Sequence, residues 1–370
     1  MDNKIYTVWL STLMGVGTIT IKSLYERFGN SENIYNLTAS EIEEIDFISK
    51  NQKLALKNKN LDYAKSIIED CENKEIKIIG FNDEDYPQSL KNIDDPPVVL
   101  YKKGVDFDFN STAMVGIVGT RRASVYGDKC ATMYSYDLSK ANIVVVSGMA
   151  MGIDAAAHKG ALKAGAVTVA VMGTGVDVCY PMENKEIYEY LCKYGVIISE
   201  YPPKTSAFPA HFPRRNRIIS GISQALLVVE AGLRSGALIT ADFANEQGKC
   251  VYAIPNSILN RTSTGTNNII KEYACLTNTP NDIIEYFYGR YDVGEISENE
   301  IADEEFLKML ENLSTEEKTV AAALSEKPKY IDTLVRETNY PAGKISAIMT
   351  MLEIKGIARS YPGNSYSLKF

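Results

Sequence analysis

The sequence predicts an α/β fold, a doubly wound and mostly parallel sheet, with a helical module before it and a winged-helix unit after it. Three observations carry this reading. The runs Met114–Val118, 143–146, 167–172 and 226–229 are short, apolar and β-branched, as buried parallel strands are. Segments of helical period near 126–140, 153–164, 184–193, 214–223, 237–247 and 266–273 alternate with extended ones. Finally, the strand-like runs end on glycine-rich or arginine-bearing loops, and in such sheets the loops beyond the carboxyl ends of the strands form the binding crevice.

Taken in order, residues 1–68 are expected to be a helical module of helix-hairpin-helix or SAM-like type. Gly15-Val16-Gly17 marks a turn, and Ile21, Leu24, Tyr25 and Phe28 recur at helical spacing. Phe28-Gly29-Asn30-Ser31 reads as a helix stop and a new N-cap. Two readings of the first turn stand side by side. Its backbone N–H groups hold a DNA phosphate, or it is a plain corner in a small bundle, with Lys22 as its only flanking base. Residues 69–110 are an extended connector with a strand or two, marked by Tyr86-Pro87 and by Asp94-Asp95-Pro96-Pro97 before Val98-Val99-Leu100-Tyr101.

The α/β domain is placed at 111–285, an acidic linker at 286–312 and the winged helix at 313–370. Ser314 is a good N-cap with Glu317 three residues on, a capping box. Helices are expected at 315–325, Ile331–Thr338 and 342–355, then a strand at 357–360, a Pro362-Gly363-Asn364 turn and a strand at 366–369. The third helix carries only Lys344 and Lys355 as bases, opposed by Glu353, so reading duplex DNA and contacting a protein both remain open.

With 370 residues and 45% hydrophobic content the chain has room for two or three domains and a sizeable core. Its uncharged stretch at 5–21 is diluted by Ser11, Thr12, Gly15, Gly17, Thr18 and Thr20, and no basic n-region or A-x-A-like site makes it a leader, so a cytoplasmic protein with no membrane partner is expected. The six cysteines include no C-x-x-C pair and are expected to be buried reduced thiols. Two histidines make a histidine-rich metal site improbable. Net charge is −8, but from 114 to 280 there are 16 Lys/Arg against 12 Asp/Glu, while 282–317 holds 12 acids against Arg290 and Lys308. A locally basic centre beside an acidic tether still suits a polyanion.

The candidate site is an anion crevice built from several loops. Gly119, Thr120, Arg121 and Arg122 follow the first strand, with Ser124 beyond and the next helix offering its N-terminus. Arg122 has the alternative of a surface carboxylate. Ser147, Gly148, Met149 and Gly152 form a tight turn before a helix, where Asp154 is either a cap or, with His158, an acid–base pair without a nucleophile. Gly173 and Gly175 lead to Asp177, Tyr180, Asn184 and Lys185, groups suited to a base, a sugar edge and a phosphate. Phe212 precedes Arg214, Arg215, Asn216 and Arg217 at a helix start, where the dipole repels cations, so an external anion or an internal carboxylate must compensate. For Arg217 the internal candidates are Glu200 and Glu230. Phe208 and Phe212 beside these arginines suit either base stacking or packing. Ser235 and Gly236 open another helix toward the same edge. The sequence has no G-x-x-x-x-G-K-[ST] loop, G-x-G-x-x-G fingerprint, nucleophile elbow or metal cluster, so the crevice is expected to bind, without cofactor or metal, rather than catalyse.

These residues in this order resemble the DNA-processing protein A family (DprA, also called Smf). The resemblance runs through VGTRRASVYG, SGMAMGIDAAAHKGAL, GTGVDVCYPMEN, ISEYPP, FPRRNRIISGIS, VVEA and RSGALITADFANEQG, and less specifically through the flanks. Departures are Pro255-Asn256-Ser257 and Glu272-Tyr273-Ala274, where the family often has glycine. The resemblance implies a Rossmann-like central domain and a dimeric, non-enzymatic mediator. Such a protein binds and protects single-stranded DNA taken up in natural transformation, and helps load the RecA recombinase. It implies that Arg121 grips phosphate and that Lys185 and the Arg214–Arg217 group extend the groove. The sheet also resembles that of nucleoside-monophosphate phosphoribohydrolases, but residues 230–240 lack their P-G-G-x-G-T-x-x-E glutamate. Sensing of a free nucleotide is the third reading.

Overall fold

The computed structural model describes residues 4–294, 313–325, 328–338, 340–355, 357–361 and 363–368, and the chain divides into two units, Met1–Glu295 and Ile296–Phe370. The first opens with six helices: α1 (Lys4–Thr12), α2 (Thr18–Phe28), α3 (Ser31–Asn36), α4 (Ala39–Glu43), α5 (Lys50–Lys57) and α6 (Asp62–Asn73). Their ends follow local chemistry. Gly29 closes α2 at φ 88, a left-handed conformation that glycine adopts without strain, and Asn30 caps α3 by accepting the Asn33 N–H. Thr38 and Ser49 begin α4 and α5 with capping boxes closed by Glu41 and Gln52. Trp9, Leu10, Ile21, Leu24 and Ile34 bury their side chains in one core with Val99, Tyr101, Ala170 and Ile197 of the sheet.

The connector supplies β1 (Lys77–Gly80), the short α7 (Gln88–Lys91) and β2 (Val99–Gly104). It is part of the sheet, because β1 pairs antiparallel with β2, and β2 antiparallel with β6. The remaining strands are β3 (Met114–Val118), β4 (Val144–Ser147), β5 (Thr168–Val171), β6 (Val196–Ser199), β7 (Ala225–Val228), β8 (Cys250–Ala253) and β9 (Cys275–Leu276). Their order is β1-β2-β6-β5-β4-β3-β7-β8-β9, with every pairing from β6 to β9 parallel. The chain winds outward from β3 to β6, then returns to the other side of β3 with β7. At this reversal the loops after β3 and β7 diverge, and a crevice opens between them.

Connecting helices cover both faces: α8 (Val125–Lys140), α9 (Ile153–Lys163), α10 (Lys185–Tyr194), α11 (His211–Ile222), α12 (Gly236–Glu246), α13 (Thr264–Glu272) and the terminal α14 (Asn281–Phe287). Alternation along the strands assigns the layers. Ala170 and Ile197 pack with Ala155 of α9 and Ile187 of α10, whereas Val169, Val171 and Ile198 pack with Ile218 and Ile219 of α11 and Ala241 of α12.

The second unit is a winged helix. Helices Thr315–Ala323, Ile331–Thr338 and Ala342–Ile354 enclose Val320, Leu334, Ile345, Met349 and Leu352. A three-stranded sheet adds Lys329–Tyr330 to the hairpin Ala358–Tyr361 and Ser365–Leu368. The Ser314–Glu317 capping box forms as expected. Pro362, Lys369 and the linker from 295 to 312 lie outside the described residues. One expectation fails: of the six free cysteines only Cys71 is fully buried, and Cys275 is exposed with its Sγ 4.0 Å from that of Cys250. Among the described residues no helix is long and apolar enough to cross a membrane.

Asp137 of α8 is buried with its Oδ1 unpartnered, and desolvation pushes its pKa up to about 7. A raised carboxyl pKa means that the native state binds more protons between the unfolded value, about 4, and about 7, so stability contributed here falls as pH rises through that window. Asp137→Asn is therefore expected to stabilise the protein at pH 8 by at least about 1 kcal/mol and to flatten the pH profile between about 4 and 7, measured by urea denaturation. Equal or lower stability at pH 8 contradicts this.

Candidate nucleic-acid interface

The crevice at the β3/β7 reversal has a volume of about 510 Å³ and is lined by the Gly119-Thr120-Arg121 loop, Phe212, Asn216 and the Arg234-Ser235-Gly236 loop. The first two glycine loops meet backbone to backbone. Ile153 N–H donates to Thr120 O at 3.2 Å, and Gly152, at φ 75, approaches so closely that a Cβ would lie 2.4 Å from Thr120 O. Thr120 also donates its N–H to Glu230 O at 2.7 Å, tying the end of β3 to the end of β7.

The arginine cluster separates by depth. Arg215 is 3% exposed and donates to Gly148 O at 2.6 Å and to Val171 O. A Cβ on Gly148 would lie 2.5 Å from its Nη2, which explains the glycine. Asp154 faces this charge and accepts the Gly148 and Ala150 N–H groups at 3.2 and 3.3 Å, so it braces the preceding turn rather than capping its own helix. Burial lowers the Arg215 pKa to about 10, which leaves the side chain charged at neutral pH. Arg217 is also buried and pairs with Glu200 at 2.7 Å and Asp95 at 3.0 Å. Glu200 is thus the internal partner of Arg217, and the expectation that Arg215 and Arg217 extend the groove is corrected: Arg217 is held by Glu200 and Asp95, and Arg215 lies at the floor of the crevice with its Nε and Nη1 donors turned to acceptors of its own chain. Arg214 alone of the three is exposed, and it contacts Glu200 at 3.4 Å and the Thr18 hydroxyl at 3.3 Å.

Arg121 and Arg122 are exposed. The Arg121 guanidinium carbon stands 5.5 Å from the centroid of the Phe212 ring, in cation–π range, and Phe212 packs at 5.3 Å against Tyr180. Phe212 is set by the sheet beneath it, since a Cβ on Gly173 would meet its ring at 3.0 Å. Tyr201 stacks on His211 at 3.9 Å, with Phe208 edge-on at 5.5 Å. Phe208 and Tyr180 remain exposed. The crevice thus has an exposed guanidinium over the Phe212 ring, with the exposed rings of Tyr180 and Phe208 beside it, outside its lining.

Other expected site residues shape the crevice from within. Ser147 is buried, with its hydroxyl donating to Ile117 O, and Met149 is buried at φ 61. Gly175 lies against Pro202 O. Asn184 is buried and donates to Met149 O and Ala150 O, fixing that turn. Lys185 is exposed but sits outside the crevice lining, 3.5 Å from Glu189. Asn216 accepts from Arg215 Nε at 3.2 Å and donates to Gly236 O at 3.3 Å, joining α11 to the start of α12, which Ser235 caps through the Ala237 N–H. The Asp154–His158 acid–base pairing does not form: His158 is fully buried, its Nδ1 meets the Thr168 hydroxyl at 2.9 Å, and burial holds its pKa down at about 3. Ser124 caps α8 at Gly127 N, but the N-terminus expected for a ligand is faced by the buried Glu230 carboxylate, which accepts the Ser124 N–H at 2.9 Å. The lining also includes residues outside the expected site set, among them Gly232, Arg234, Thr240 and Thr262. Arg234 was signalled by its place just before the Ser235-Gly236 helix start, whereas nothing local marks Thr262.

Comparison with known proteins follows this geometry. The DNA recombination-mediator protein A family matches residues 77–288, and the DprA winged helix domain matches residues 309–364. The chain is 32% identical to Protein Smf of Synechocystis sp. over 99% of each sequence. It is 42% identical to DNA processing protein DprA of Streptococcus pneumoniae, covering 55% of this chain and 72% of that protein. The X-ray structure of the Streptococcus pneumoniae protein superposes with a TM-score of 0.67 at 33% identity, covering 77% of this chain and 98% of that one. DNA processing protein A of Helicobacter pylori, whose structure describes a single-stranded DNA binding mode, gives a TM-score of 0.53 at 27% identity over 59% and 97%.

The Arg217 pairing is tested by Arg217→Ala, which leaves the buried Glu200, and Asp95 beside it, with only the exposed Arg214 as a counter-ion at 3.4 and 3.9 Å. The expected loss is about 3–5 kcal/mol of unfolding free energy in urea. A variant that keeps its stability yet loses DNA affinity would instead place the side chain in the groove.

Proposed function

The chain belongs to the DNA recombination-mediator protein A family, and from that premise we propose that it binds single-stranded DNA along the β3/β7 crevice and acts by holding the strand rather than by cleaving it. One observation carries the reading: the exposed Arg121 guanidinium stands over the Phe212 ring beside Tyr180, at the edge of the sheet where the loops diverge. A guanidinium there takes a phosphate bidentately, and the rings take the faces of neighbouring bases. Bases inside a duplex are stacked on one another and offer no face, so this combination selects the single strand.

In this proposal the contacts are made by Arg121, Arg122, Arg234, Phe212 and the Ser235-Gly236 helix start. Arg214 and Lys185 extend the path, and the buried Arg215, Arg217 and glycine turns keep the rim in place. The single-stranded DNA binding mode described for the Helicobacter pylori relative supports it. Protection of incoming DNA in natural transformation, loading of RecA, a homodimeric state and a cytoplasmic setting belong to the same proposal, as expected of the family. The winged helix takes a protein-contact or regulatory part in it. Its Lys344 and Lys355 are paired with Glu316 at 2.6 Å and Glu317 at 2.7 Å, which leaves them poorly placed to read duplex DNA.

Fluorescence anisotropy of a labelled oligothymidine strand and a matched duplex, at two salt concentrations, tests the proposal. Tight, salt-sensitive binding that prefers the single strand is expected. Arg121→Ala should weaken binding to every sequence and reduce the salt slope by roughly 0.7 to 1, whereas Phe212→Leu should cost about 1–3 kcal/mol of binding with the slope unchanged. No binding at low salt contradicts the proposal, and release of free base from AMP would favour hydrolysis instead.

A further inference from the structure

Glu230 lies two residues beyond β7, wholly buried, and its carboxylate lies against the first turn of α8. Oε2 accepts the Ser124 N–H at 2.9 Å, Oε1 accepts the Thr262 hydroxyl, and the residue's own carbonyl accepts the Thr120 N–H. The approach to the helix is close enough that a Cβ on Gly127 would lie 2.2 Å from Oε2, so glycine is required at that position by the carboxylate itself. In doubly wound sheets the helix after the first strand of the reversal is where the phosphate of a bound nucleotide docks, drawn by free N–H groups and the positive end of the dipole. Here a carboxylate of the same chain stands in that place, carrying the negative charge the helix start favours.

We infer that Glu230 is a specificity-determining residue: an internal anion that fills the phosphate cup of α8 and so excludes free mononucleotides, leaving the outer rim to the backbone of a polymer. The inference rests on the single-strand reading of the crevice. A second anion brought to the cup meets both an occupied volume and a like charge without solvent between them. The outer rim, where Arg121 and Arg234 are exposed, carries no such block.

The test is thermal melting in phosphate-free buffer, with inorganic phosphate or AMP titrated into the wild-type protein, Glu230→Gln and Glu230→Ala. The wild type and Glu230→Gln, whose cup stays filled, should not shift. Glu230→Ala should melt lower alone and rise by about 3 °C when phosphate reaches ten times its dissociation constant. Saturable stabilisation of the wild type, or no greater gain in Glu230→Ala than in the wild type, overturns the inference. If Glu230→Ala does not fold, competition on the wild type decides: labelled oligothymidine that stays bound in millimolar AMP supports the block, and displacement overturns it. A wild type that binds no oligothymidine sinks the single-strand reading, while the phosphate titration still decides the part played by Glu230.

Discussion

Carrying the Arg215 guanidinium into the interior commits several loop ends to a single arrangement, because a buried charge must find acceptors wherever it lies. It finds them at Gly148 O after β4 and at Val171 O at the end of β5, with Asp154 facing it from the start of α9. Asp154 in turn holds the Gly148 and Ala150 N–H groups, so the turn after β4 is fixed from both its donor and its acceptor sides. One side chain of α11 therefore joins two parallel strands, a glycine turn and a second helix beneath the crevice. The exposed groups above inherit that rigidity. Arg121 rests on Phe212, which sits one turn of α11 before Asn216 and three residues before Arg215.

Much of this architecture was legible in the sequence. The run Met114–Val118 is a strand over the same residues, and the glycine stop after Phe28 and the Ser314 capping box fall where local chemistry puts them. Helix ends moved by a few residues, as for α11, which begins at His211 rather than Arg214 because Pro213 is tolerated in the first turn. The connector's place in the sheet was not legible: whether β2 pairs with β6 depends on a contact across some ninety residues that no local pattern encodes.

The candidate site was legible as a set of loops, and less so as a set of side chains. Three arginines within Arg214–Arg217 look alike in sequence, yet the helix points Arg215 into the sheet, Arg217 into Glu200 and Asp95, and Arg214 toward solvent. Helical geometry separates Arg215 from the other two, but only tertiary structure shows where Asp95 lies. The same limit hid the role of Glu230, whose partners Ser124 and Thr262 come from separate loops on either side of it in the chain. Most buried polar residues are paired, and pairing is a property of the fold.

The resulting account divides the work between a buried polar frame and an exposed rim of arginine and aromatic side chains. Its central claim is that bases lie on the rings of Phe212, Tyr180 and Phe208 while their backbone runs past Arg121. Photocrosslinking of the full chain to an oligothymidine carrying 5-bromouracil, with the joined peptides mapped by mass spectrometry, tests that most directly. Crosslinks at Tyr180, Phe208 or Phe212 are the result the account predicts; crosslinks confined to the N-terminal helices or to the winged helix would contradict it.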